Sequence, residues 1–139
     1  MAKLNTYLNF NGNTEEVFEF YKSVFGGEFL TVQRYKDTQG SEKMKPEDQH
    51  KIMHIALPIG GNVLMGTDIT HPMQPVTLGT ATFLSIDADS EEHAHQLYSD
   101  LSAGGTANMP LEKMFWGALF GMLTDKFGVQ WMVNYDYKQ

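Results

Sequence analysis

Residues 6–16 read TYLNFNGNTEE, and residues 82–92 read TFLSIDADSEE. Thr6, Leu8, Phe10, Asn13, Thr14, Glu15 and Glu16 return 76 positions later as Thr82, Leu84, Ile86, Asp89, Ser90, Glu91 and Glu92. In both places an alternating run, the mark of a half-buried strand, enters a polar corner and then a helix. Asn13 and Asp89 are placed to cap free helix N–H groups, with Glu16 and Glu92 three residues on as in a capping box. The paired glutamates also suit the positive end of the helix dipole. Val17, Phe18, Tyr21, Val24 and Phe25 form one apolar helical stripe, and Ala94, Leu97, Tyr98 and Leu101 form its counterpart. Gly26-Gly27 and Gly104-Gly105 supply the stops.

Past the helices the offset falls to 67, where Gly61, Leu64 and Met65 align with Gly128, Trp131 and Met132. The nine-residue difference fits a longer, polar and mobile loop in the first half around TQGSEKMKPED (38–48). Two further strands are expected in each half, near 28–36 and 51–59, then near 106–110 and 114–123. The spacing therefore predicts an α+β fold of two tandem βαβββ modules. The first covers about 1–69 and the second about 80–139, joined by the proline-bearing connector 70–79. One helix and four strands bury too little alone, so the halves are expected to pair as curved mixed sheets around a shared hollow.

Composition narrows the function. The 139 residues suit one domain, and 42% hydrophobic with 19% charged residues is an ordinary globular balance. No apolar run reaches the roughly 20 residues of a membrane span, so no membrane partner is expected. The start lacks a signal-peptide layout, which makes cytoplasmic the default expectation. A net charge of −7 argues against nucleic acid, and Arg34 as the sole arginine rules out a multi-arginine phosphate clamp. With no cysteine there is no thiolate site or cysteine nucleophile. The serines lack a nucleophile elbow.

Three segments, TYLNFNGNTEEVFEFYKSVFGG (6–27), KIMHIALPIGGNVLMGTD (51–68) and FWGALFGMLTDKFGVQWMVNY (115–135), carry a resemblance to a known family. The chain resembles the PhnB-like branch of the vicinal-oxygen-chelate superfamily, which includes glyoxalase I, extradiol dioxygenases and bleomycin-resistance proteins. Members of that branch often carry a demethylubiquinone methyltransferase label. No glycine-rich nucleotide loop follows an early strand here, so methyl transfer is not expected. In metal-dependent members, the resemblance implies a ligand from the first and last strands of each half, typically His and a carboxylate. Those positions fall on Asn5 (or, through a register slip, Tyr7), Met65, Ala81 and Met132. Alanine donates nothing, asparagine is a weak neutral donor and thioethers suit copper(I), so the usual divalent site and its cofactor are not expected.

The period of two instead selects residues that share one face, either as the wall of a cavity or as core filling the concave side of the sheet. If Leu8 and Phe10 face the helix, Asn5, Tyr7 and Asn9 face away, and Ala81, Phe83 and Ser85 do so in the second half. Met65 and Met132 join them, with Phe115 or Trp116 and Phe120 or Met122 according to register. His54, mid-strand in apolar sequence, needs a hydrogen-bond partner or a ligand. His50 falls too far along the same strand to share an ion with it, and His93 and His95 diverge on a helix. His71 lies in the connector. The expected ligand-binding set is Tyr7, Asn9, His54, Met65, Phe83, Trp116 and Met132, around a small, partly aromatic or amphipathic molecule. The resemblance implies a homodimer and a precedent for binding without chemistry. A glyoxalase-like lyase, isomerase or oxygenase working through displaced metal ligands or through His54 and Tyr7 is the alternative. A structural or interaction protein, its concave face buried by a partner, is the third.

Overall fold

A computed structural model of the chain describes residues 2–137. Two compact units follow one another, Met1–Thr77 and Leu78–Gln139. The first holds β1 (Thr6–Phe10), α1 (Thr14–Phe25), β2 (Thr31–Arg34), α2 (Pro46–Gln49), β3 (Ile52–Ile59) and β4 (Asn62–Asp68). Its sheet runs β1-β4-β3-β2, with β1 parallel to β4 and the other pairs antiparallel. The second holds β5 (Leu84–Asp87), α3 (Glu91–Ser102), β6 (Thr106–Lys113), β7 (Ala118–Thr124) and β8 (Gln130–Asp136). Its order, β5-β8-β7-β6, repeats the first with the same pairing directions. The expected doubled βαβββ arrangement is present. Among the described residues no helix is long and apolar enough to cross a membrane.

Each helix covers one face of its own sheet. In β4, Leu64, Gly66 and Asp68 are buried while the residues between them are not, the alternation that a half-covered strand requires. Gly66 marks the closest approach of α1, because a Cβ there would stand 2.5 Å from the Phe18 ring. Gly121 of β7 plays this part in the second unit, where a Cβ would stand 2.9 Å from the Tyr98 ring. Val17, Phe18 and Tyr21 of α1 are buried, and so are Ala94, Leu97 and Leu101 of α3, as their spacing predicts. Burying a ring such as Phe18 stabilises by about 2–3 kcal/mol.

Both helix starts differ from expectation. Asn13 makes no side-chain cap bond. Instead the buried Asp68 carboxylate accepts from Thr14 N at 3.0 Å and from Thr14 Oγ1 at 2.6 Å. A carboxylate from a neighbouring strand serves the orphan N–H better than a short side chain whose backbone (φ −113°, ψ 22°) lies outside the usual cap geometry. In the second unit the cap is Ser90, one residue later than Asp89. Its Oγ accepts from His93 N at 3.0 Å, and Asp89 N donates to His93 Nδ1 at 3.0 Å. His93 thus completes a reciprocal cap.

The stretch 38–48 is not a plain loop. Helical turns at Tyr35–Asp37 and Ser41–Lys43 lead into α2, anchored by buried Asp48. His50 follows α2 and lies outside β3, so it does not share that strand with His54 as the sequence reading expected. β6 extends to Lys113, past the expected end at 110, with register shifts on either side of Met109. β7 begins at Ala118, which leaves Phe115, Trp116 and Gly117 in the turn before it, with Gly117 at φ +92°.

Candidate functional site

The face of the first sheet turned away from α1 carries most of the expected polar handles. Tyr7 stands opposite Met65, and Asn9 opposite Thr67. The strand order inserts β4 between β1 and β3, yet the Tyr7 hydroxyl crosses it to reach His54 Nδ1 at 3.2 Å. Their rings lie 5.7 Å apart at 32°. Tyr7 is 47% exposed and Asn9 is exposed, while Met65 and His54 are half-buried. Burial raises the Tyr7 hydroxyl above its usual range; hydrogen bonding with Thr67 opposes this and the nearby Tyr35 adds to it. The phenol is therefore a neutral donor and acceptor throughout the physiological range.

Thr67 and Tyr35, neither of them expected, extend this polar patch. Thr67 Oγ1 donates to the Met53 carbonyl at 2.6 Å, and the Tyr35 hydroxyl donates to the Asp68 carbonyl at 2.9 Å. The parity of Tyr7, Asn9 and Met65 points to Thr67 as well, once β1 and β4 are known to be neighbours. Tyr35 lies beyond β2 in a helical turn, and no periodic signal finds it.

The second unit holds the remaining candidates. Met132 stands opposite Ser85 on β5 and Met122 on β7. Phe120 and Met122, treated in the sequence as alternatives, share this face. Phe83 precedes β5 and is half-buried, and Ala81 is exposed before it. Trp116, 56% exposed, turns its ring to within 6.2 Å of Phe120, and Phe115 is 96% exposed.

The four positions that the resemblance marks as metal ligands do not suit a divalent ion. Asn5 lies before β1, and its Oδ1 already accepts from Val63 N at 3.1 Å. The residue beside Met65 is Tyr7, and the residue beside Met132 is Ser85. Neither pair offers an imidazole or a carboxylate, the donors such an ion prefers. Among the described residues no three His, Asp or Glu side chains gather in a metal-holding group.

His71 has a structural partner. Asp48, 1% exposed, sits 2.8 Å from both Lys51 Nζ and His71 Nδ1, and it accepts from His71 N at 3.2 Å. Its carboxyl is held well below the usual carboxylate range, first by Lys51, against an opposing burial penalty, and then by His71. A carboxyl lowered on folding stabilises fully above its unfolded value of about 4, and this contribution fades as pH falls below that. Asp48→Asn is expected to cost about 1–3 kcal/mol at pH 7, discounted for the exposed partners. Urea denaturation at successive pH values should show the gap from wild type narrowing steadily as pH falls below about 5.

Comparison with known proteins places this geometry. Residues 2–134 match the family described as 3-demethylubiquinone-9 3-methyltransferase. Protein PA1353 from Pseudomonas aeruginosa is 38% identical, with 98% of each chain covered and a TM-score of 0.84. Protein YjdN of Escherichia coli (strain K12) is 30% identical over 94% of this chain and 93% of its own. The PhnB protein from Bacillus cereus is 29% identical over 96% of this chain and 99% of its own, with a TM-score of 0.73. At the level of fold alone, a glyoxalase-related enzyme from Fulvimarina pelagi is similar at 16% identity and a TM-score of 0.67. The chain belongs to the PhnB-like 3-demethylubiquinone-9 3-methyltransferase family, on the glyoxalase/bleomycin-resistance fold.

Proposed function

We propose that this chain binds a small, partly aromatic molecule without a divalent ion, on the open face of its first sheet. The observation that supports this most is the Tyr7–His54 contact at 3.2 Å, in a patch that α1 leaves uncovered. Tyr7, His54 and Thr67 offer hydrogen-bonding groups, and Met65 offers an adaptable apolar surface. The groups named here include no carboxylate, ammonium or guanidinium, so a neutral amphipathic compound fits best. In the second unit Trp116, Phe120 and Met132 supply similar apolar material. On this reading the protein works as a cytoplasmic homodimer that sequesters or senses its ligand.

Methyl transfer, named in the family's description, draws no support from the chain's own chemistry. β1 enters α1 through Asn11-Gly12-Asn13, a corner with one glycine rather than a glycine-rich nucleotide cradle. Equilibrium binding of a panel of neutral aromatic compounds tests the proposal. At least one is expected to saturate with a micromolar dissociation constant, weakened about tenfold in His54→Ala. A panel in which nothing saturates would sink it.

The same contact favours one second reading. A phenol hydrogen-bonded to an imidazole is an acid/base pair suited to moving a proton beside a carbonyl group. Incubating a bound carbonyl compound in D2O distinguishes the two. Deuterium entering its α-position with wild type but not with His54→Ala marks an isomerase-type enzyme, and no exchange marks a binding protein.

A further inference from the structure

On the face of the second sheet opposite α3, the register draws one row across all four strands. Ser85 of β5 stands opposite Met132 of β8, Met132 opposite Met122 of β7, and Met122 opposite Met109 of β6. Directly opposed residues share a face of the sheet. All three methionines are half-buried, whereas Leu119, Leu123, Trp131 and Val133, on the α3 side, are buried. The sequence scatters the three sulfurs over 24 residues (109–132), and the irregular register around Met109 completes the row. The backbone beneath is held in place by Tyr98, whose hydroxyl lies 2.9 Å from the Met109 carbonyl oxygen and 3.0 Å from that of Met122.

We propose that Met109, Met122 and Met132 form a binding site for a soft monovalent cation, Cu(I) or its analogue Ag(I). Thioethers are soft, neutral donors that select such ions over hard divalent ones. Neighbouring strands lie about 4.8 Å apart, so the outer two methionines start about 10 Å apart with the third between them. Three unbranched, flexible side chains lean in from there to a shared trigonal point. The next row on the same face contains Asp87, Asn134, Phe120 and Glu112. Its two carboxylates, on a chain of net charge −7, draw a cation towards the sulfurs without belonging to the row. This site lies in the second unit and does not depend on the ligand proposed for the first.

The test titrates silver nitrate into the full chain, labelled with 13C at the methionine methyl groups, in chloride-free buffer. Cu(I) follows under anaerobic ascorbate. The methyl resonances of Met109, Met122 and Met132 are expected to shift together and saturate at one ion per chain, while those of Met44 and Met73 stay in place. Met122→Leu, which conserves volume, is expected to weaken binding at least about tenfold without lowering the thermal midpoint. Met109→Leu, on the edge strand, serves if the first variant folds poorly. Equal shifts at Met44 or Met73, no saturation, or full affinity in the leucine variant would overturn the site.

Discussion

Asp125→Ala is expected to lower the unfolding free energy by about 3–5 kcal/mol, among the largest losses from any single substitution in the chain. Asp125 opens the turn between β7 and β8 and is 3% exposed. Its Oδ1 accepts from Phe127 N at 2.9 Å and Val129 N at 3.0 Å, and its Oδ2 accepts from the Trp131 indole N–H at 3.0 Å. Alanine strips three donors of this acceptor at once, two of them buried, and each such loss costs about 1–3 kcal/mol. For a chain of this size that amounts to a fall of roughly 10–15 °C in thermal midpoint. Asp125→Asn keeps one oxygen for the turn and should recover more than half of the loss. Equal midpoints for wild type and Asp125→Ala would show that the turn is held by its backbone alone.

Asp68→Ala should cost the first unit about 3–4 kcal/mol. This carboxylate joins three elements: it ends β4, receives the first N–H of α1 through Thr14, and accepts from Ile52 N of β3 at 2.8 Å. Chemical denaturation of two companions isolates its role as a helix cap. Asn13→Ala should change stability by less than about 0.5 kcal/mol, because its side chain caps nothing, while Ser90→Ala should cost about 1 kcal/mol. Equal costs for the two would mean that Asp68 does not relieve Asn13 of the capping role.

These two aspartates also mark what the sequence conceals. The repeat made the strand–helix entry of each unit legible, and the stripes through Phe18 and Tyr98 made the helix faces legible, because both depend on local periodicity. Capping by Asp68 depends on β4 lying beside the start of α1, a contact across 54 residues that no spacing rule contains. The site was half legible for the same reason. Parity places Tyr7, Asn9 and Met65 on one face, but the reach from Tyr7 to His54 follows from the β1-β4-β3 order. Trp116 reads as strand because FWG adjoins the apolar run of β7, yet Gly117 at positive φ holds it in a turn. Met109 stayed hidden because the register shifts of β6 break the alternation that would have aligned it with Met122.

Isothermal titration of the tightest panel compound into EDTA-dialysed protein, wild type beside Tyr7→Phe, tests the central claim most directly. Saturable binding of one molecule per chain in the presence of EDTA is expected, about tenfold weaker in Tyr7→Phe through the loss of one hydrogen bond, with thermal midpoints unchanged. Binding that appears only on adding a divalent ion, or equal affinity in the two proteins, would contradict it.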